Sequence, residues 1–389
     1  MKHFITICLS ILLSSICNAQ WTQSLGTESL NMQSLITFGT YNLAGGATGA
    51  YSSIDEAETY ISSNTGNDPT GPTRGFAFDG TYIYTCTSQG VYRSSDNGST
   101  WIQKNLGLTN LLTSGITYSS PYLIVVGPSG VFKSLDNGDN WTAAGLSGTD
   151  VRCVTSINDT LFVGTNGFGI YTSVDWGTNW TTINNGLSSS SNFRAIEAKG
   201  STLFAGGQVG TGVFRSMDYG LNWTLLSGGL PNGSYRGFAS NDSIIVAGSF
   251  GAGVFSSVDN GDTWVEINSG LLDLTIFDLE LNDNFIIAAT DTKGVFRFPL
   301  SNIVLSVSDL IFNDSVTCYP NPANSTVWIS SETNLENISY KLIDIKGSLI
   351  LSGKINGNKH EINIDALLNG VYFIHFDNPE LAPFKLIKE

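Results

Sequence analysis

Histidine is nearly missing from this chain. Three of 389 residues are histidine, at positions 3, 360 and 375, so residues 20 to 300 contain none. Ser-His-Asp catalysis and histidine-ligated metal centres are thereby excluded from that stretch. Cysteine is also scarce. Beyond the first 19 residues only Cys86, Cys153 and Cys318 occur, too far apart in the pattern for a disulfide framework. Cys86 and Cys153 sit in strand-like sequence and read as small buried hydrophobes. Charged residues make up 13% and the net charge is −15, which argues against nucleic acid and against an anionic membrane surface. After the first 20 residues no apolar run is long enough to span a bilayer. Helical periodicity is absent too, so no glycine-rich phosphate loop precedes a helix. Two Asp-Asn-Gly-Asp runs, at 136 and 259, lack the ligand spacing of a calcium loop. We expect neither a metal nor a cofactor.

What the chain does have is a repeat. Ser94-Ser95-Asp96-Asn97-Gly98-Ser99-Thr100-Trp101 recurs at Ser134 to Trp141, Ser173 to Trp180, Ser216 to Trp223 and Ser257 to Trp264. Its aspartates, Asp96, Asp136, Asp175, Asp218 and Asp259, are 40, 39, 43 and 41 residues apart. Each copy follows a glycine, a β-branched residue and an aromatic, as in Gly130-Val131-Phe132. This is a strand, then a turn in which Asp accepts backbone N–H bonds and Gly supplies positive φ, then a strand opened by a large apolar ring. Two further short strands lie upstream in each repeat, such as Arg74 to Phe78 and Tyr82 to Thr85. Four short strands at a period near 40 predict one propeller blade per repeat. A degenerate first copy centres on Asp55, with Tyr60 in place of Trp, and a last copy stops after Gly294-Val295-Phe296-Arg297 without a turn or a Trp strand. Gln20-Trp21-Thr22-Gln23-Ser24 matches the missing piece, so it is expected to complete the last blade and close a seven-membered ring, which removes open sheet edges.

The repeated stretch resembles the Asp-box (BNR repeat) of sialidases and related propellers, and the whole array is similar to the seven-bladed, photosystem-assembly-factor-like group. That resemblance implies a structural role for the five aspartates and for Trp101, Trp141, Trp180, Trp223 and Trp264, on the outer part of each blade and away from any ligand. It also implies partner binding more than chemistry. Sialidases carry an aromatic-Arg-Ile-Pro motif and six blades. Here Phe193-Arg194-Ala195-Ile196 and Tyr235-Arg236-Gly237-Phe238 keep only the aromatic-Arg pair.

The two ends speak of export. Residues 1–19 have Lys2, an apolar run from Phe4 to Ile16 and small residues at 17 and 19, as in a secretory signal peptide. Ile16 is too bulky to precede a lipid-modified Cys17. After residue 300 the period breaks. Residues 301–315 read as a linker, and residues 316–389 alternate with period two, as expected for a small Ig-like β-sandwich. Tyr319-Pro320-Asn321-Pro322, Asp344-Ile345-Lys346-Gly347, the stretch from Leu367 through Gly370 to Phe373 and a basic tail resemble the type IX (Por) secretion system C-terminal sorting domain. That implies secretion across the outer membrane with the type IX machinery as partner, and a product released or attached to the cell surface.

Aligning the innermost strands places Gln33, Arg74, Ser114, Arg152, Arg194, Arg236 and Phe277 in one column. Residues 20 to 300 hold 11 basic and 23 acidic residues, so four arginines in one ring position of an acidic propeller are conspicuous. They are expected at the channel mouth, on the face opposite the repeated turns. There they would either bind a carboxylate, sulfate or phosphate or bond neighbouring carbonyls and aspartates. Glu197, Asp278 and Glu280 lie on the same strands, but nothing in the sequence pairs them. The expected function is a non-catalytic, cell-surface or secreted binding propeller for a glycan or protein. The alternative is a glycoside hydrolase using two carboxylates at the mouth.

Overall fold

A computed structural model describes residues 20–65, 71–187, 192–208, 210–303, 316–331, 338–344, 349–355, 357–376 and 384–389. The proposed signal peptide, most of the proposed linker and Ile345 to Gly347 of the tail motif lie outside the described residues. The chain divides into two compact units, with the break between Asn302 and Ile303.

The first unit is a seven-bladed propeller. Seven four-stranded antiparallel sheets form it, and six of them run in simple chain order from the axis outward. The innermost strands are Met32–Phe38, Thr73–Phe78, Gly115–Ser119, Val151–Ile157, Phe193–Lys199, Tyr235–Ser240 and Ile276–Leu281, defining blades 1 to 7. The seventh sheet takes its outer strand, Thr22–Gln23, from the beginning of the chain. Thr22 pairs with Arg297 and Gln23 with Phe296. Trp21 lies one step further along, buried against Phe298 at a ring distance of 5.4 Å. Its backbone N–H donates to the Ser269 carbonyl of blade 6 (2.8 Å). The ring is therefore closed by residues distant in sequence.

The repeated turn owes its shape to one hydroxyl and one carboxylate. In blade 3, Ser134 Oγ donates to Asp136 Oδ1 (2.8 Å) and accepts from Gly138 N (2.9 Å). Asp136 then accepts from the Asn140 backbone N–H and the Asn140 amide, both at 2.8 Å. The same bonds recur in blades 2, 4, 5 and 6, and in blade 1 around Asp55 and Thr59. These bonds, led by the Asn140 side chain, hold the Asp136 carboxyl below its ordinary range. The backbone needs positive φ at two successive residues, such as Asn137 (58°) and Gly138 (83°). Blade 1 meets the demand with Glu56 and Ala57, at 58° and 62°, where a Cβ is unfavourable. Replacing Asp136 by Ala removes three acceptor bonds and should lower stability by about 1–2 kcal/mol. Chemical denaturation of the single variant measures it.

The tryptophans act across the blade seams. The indole N–H of Trp101, Trp141, Trp180 and Trp223 donates to a carbonyl of the preceding blade, at Ser63, Lys104, Ala144 and Ile183 (2.8–2.9 Å). Trp21 does the same to Ile267, whereas Trp264 donates to Gly261 in its own turn. Basic residues of the third strands reach the other way. Arg93, Lys133 and Arg215 donate to carbonyls of Asn137, Trp176 and Asn260 in the next blade's turn (2.7–2.8 Å).

The second unit packs a three-stranded sheet (Val316–Tyr319, Thr326–Ser331, Lys359–Asn363) with a four-stranded one (Leu349–Ile355, Ile338–Asp344, Gly370–Phe376, Phe384–Lys388). Their inner faces bury Val327, Ile329, Leu342, Ile374 and Leu386, as the two-residue alternation requires. The Asn321 side-chain carbonyl accepts from Ile387 N (2.8 Å), and Ala323 N donates to Ile387 O (2.8 Å). Gly370 pairs with Lys388. The Tyr319 to Pro322 stretch and Gly370 thus meet on the last strand. Tyr319 itself is exposed, with the Lys359 ammonium over its ring.

Candidate functional site

All seven column residues line one cavity of about 660 Å³ at the propeller axis. The innermost strand explains why they point there. In blades 1, 2, 4, 5, 6 and 7 the ladder skips one residue, between Met32 and Ser34, Thr73 and Gly75, Val151 and Cys153, Phe193 and Ala195, Tyr235 and Gly237, and Ile276 and Asp278. The skipped residue is Gln33, Arg74, Arg152, Arg194, Arg236 or Phe277. Such a bulge re-aims one side chain while its neighbours keep the strand's alternation. Strand register also fixes the face. Thr73 pairs with Thr87, and Thr87 with Gly90, at the end of blade 2 away from its Asp96 turn.

The four arginines differ in their partners. Arg152 forms an ion pair with Asp150 of its own blade, and Asp150 also accepts from the Asn166 amide (3.0 Å). Arg236 lies over the Phe250 ring at 3.9 Å and is 5.1 Å from the Phe277 ring centre, a cation–π arrangement that fixes the guanidinium without neutralising it. Among the described residues Arg74, Arg194 and Arg236 have no hydrogen-bonding or ion-pair partner. The Nε atoms of Arg152, Arg194 and Arg236 are buried and unbonded, so their Nη ends are what the channel meets. Burial, then the positive charges of Arg152 and, more weakly, Arg74, depress the basicity of Arg194. Burial and then Arg194 do the same to Arg236. Asp150 and Asp291 offset part of this charge, but only Arg152 is in an ion pair, so an anion would relieve both desolvation and repulsion.

Further along the strands the lining turns acidic. Asp278 accepts from Leu35 N of blade 1 (2.8 Å) and from Leu279 N (2.9 Å). Glu280 accepts from Thr37 N (3.4 Å), and Ser240 of blade 6 donates to Glu197 (2.7 Å). These carboxyls are half-buried in the channel lining. Burial pushes Glu197 and Asp278 up to about 7, and burial plus the charges of Asp278 and Glu197 raises Glu280 well above its ordinary value. The aspartates and tryptophans of the repeated turns do not line this cavity. Cys86 and Cys153 are free, buried thiols, pushed up by burial to about 12. Among the described residues no group of three or more Asp, Glu, His or Cys is arranged to hold a metal, and no helix is long and apolar enough to cross a membrane. The sequence signal that could have found Phe250 is faint. It is a lone aromatic in the loop after strand two of blade 6.

Residues 317–388 match the secretion system C-terminal sorting domain family. That tail directs the chain through the type IX system to the cell surface or the extracellular space. No curated protein matches the sequence. Among solved structures the chain is similar to PorZ of Porphyromonas gingivalis, described as an essential bacterial surface component of the type IX secretion system (14% identity, TM-score 0.58, covering 95% of this chain and 60% of PorZ). It is similar to YCF48 from Cyanidioschyzon merolae (16%, 0.60, 73% and 100%) and to a GH74 xyloglucanase from Xanthomonas campestris (14%, 0.58, 80% and 59%). This chain thus spans about 60% of the length of PorZ. At these identities the likeness concerns the fold alone.

Proposed function

We propose that this exported propeller is a non-catalytic binding protein, and that the mouth formed by Arg74, Arg152, Arg194 and Arg236 captures an anionic group on a surface glycan or a protein. In this reading residues 1–19 are the export leader and the repeated turns are Asp-boxes. Residues 20–300 do the binding, and residues 301–315 tether the sorting domain. One observation carries it: Arg74, Arg194 and Arg236 line one channel with no hydrogen-bond or ion-pair partner among the described residues. A surface component of the secretion system with the same fold, PorZ, accords with a role at the cell surface.

The second reading, a glycoside hydrolase, draws on Glu197 and Asp278, whose raised pKa values are what a general acid needs. Against it, both Asp278 oxygens are engaged by backbone amides and Glu197 by Ser240. The bonds from Leu35 N and from Ser240 cross blade seams and hold these carboxyls in structural roles. Binding of polygalacturonate or heparin decides between the two. The Arg194→Ala, Arg236→Ala double variant should bind roughly 10- to 100-fold more weakly, with no reducing sugar released by the unaltered protein. Equal binding by the double variant, or sugar release, contradicts the proposal.

A further inference from the structure

The same channel carries a second charge layer that an anion alone does not use. Arg194 and Glu197 share one strand, three residues apart, and Glu280 stands three residues beyond Phe277, in the equivalent position of blade 7. With a strand rise of about 3.3 Å per residue, and one residue taken up by the bulge, the two layers are roughly 7–10 Å apart along the axis. The layers do not neutralise each other. Among the described residues Glu197, Asp278 and Glu280 form no ion pair. The groups facing them are the Ser240 hydroxyl, the backbone amides of Leu35, Thr37 and Leu279, and one another. The cavity of about 660 Å³ reaches both layers, a volume within the range of small-ligand sites.

We infer that the channel takes a zwitterionic ligand: an acidic group held by Arg194 and Arg236 at the mouth, and an ammonium group about 7–10 Å deeper against Glu197 and Glu280. The inference rests on the anion-binding reading and narrows it. It selects amino-bearing acids, such as peptide termini or acidic amino sugars, over simple anions. The ammonium replaces the protons that burial keeps on the acid layer, so binding near pH 7 releases protons.

Titration calorimetry with the whole protein at pH 7 tests it, using hexanoate and 6-aminohexanoate as probes. The amino acid should bind roughly tenfold more tightly than hexanoate, with proton release seen as a dependence of the heat on the buffer's ionisation enthalpy. The Glu197→Gln, Glu280→Gln variant should lose that advantage and keep its hexanoate affinity. Equal binding of the two probes, or an advantage that survives in the variant, overturns the zwitterion inference and leaves the anion site standing. Binding of both probes that ignores Arg194→Ala with Arg236→Ala overturns the anion site and, with it, the inference. Failure of both probes to bind overturns the two together.

Discussion

A chain that starts at Glu28 instead of Gln20 should melt well over 10 °C lower, or fail to give a cooperative transition. In sequence five of the eight missing residues, Gln20 to Ser24, already match the piece absent from the last repeat. In the structure they form the outer strand of blade 7 and bring Trp21, fully enclosed, into the seam with blade 6. Removing a buried tryptophan alone costs about 3–5 kcal/mol, and in a domain of this size each kcal/mol is worth roughly 2–4 °C or less. Truncation also uncovers the edge of Val295–Pro299 and frees the Ser24 contact with Val295 (2.9 Å), exposing a strand that can template aggregation. Trp21→Ala in the longer chain isolates the packing part and should lower the melting temperature by about 10 °C. Thermal melts of the three proteins give the answer. Coincident curves would mean that the ring does not depend on its first strand.

The second large effect concerns pH. Glu197 and Asp278 are raised to about 7 and Glu280 well above its ordinary value, all chiefly by burial. A carboxyl whose acidity is weakened by folding binds its proton more tightly in the folded state. Its contribution is complete below the unfolded value near 4 and is lost as pH climbs through about 7. The turn aspartates act oppositely. Bonds led by the Asn140 and Asn222 side chains lower Asp136 and Asp218, so their contribution is present above pH 4 and lost in stronger acid. Stability should therefore peak in mild acid and decline between pH 5 and 8. Glu197→Gln with Glu280→Gln removes two of the three ionisations while keeping the shape. A tenfold weakening of an acid on folding corresponds to about 1.4 kcal/mol, reduced here by contact with channel water. The double variant should melt roughly 5 °C above the parent at pH 8 and level with it at pH 4. A constant offset across the range would show that these carboxyls are already ionised without penalty.

Much of this was readable because the repeat constrains itself. One Ser-x-Asp-x-Gly turn per 40 residues, each followed by Trp, specifies a blade. The orphan Gln20 to Ser24 segment at one end and the truncated last copy at the other specify closure. The arginine column followed from alignment of the inner strands. What stayed hidden has physical reasons. The bulges that turn Arg74, Arg152, Arg194 and Arg236 into the channel leave no compositional mark, because any residue can occupy the skipped position. The tryptophans read as anchors of their own hairpins, whereas the indoles of Trp101, Trp141, Trp180 and Trp223 bond the preceding blade and only that of Trp264 bonds its own turn. Arg152 was expected either free or bonded to a neighbouring blade, but its partner is Asp150, two residues away in the same blade. The acid layer could not be assembled from sequence, because Glu197 and Glu280 are 83 residues apart and meet only when the ring closes.

The most direct measurement is the affinity of the whole protein for polygalacturonate as a function of salt, with polymer length followed in the same samples. Binding that weakens about tenfold as salt rises tenfold, collapses in the Arg194→Ala, Arg236→Ala variant and leaves chain length unchanged is the predicted result. Salt-independent binding, or shortening of the polymer, would contradict an arginine-lined capture site.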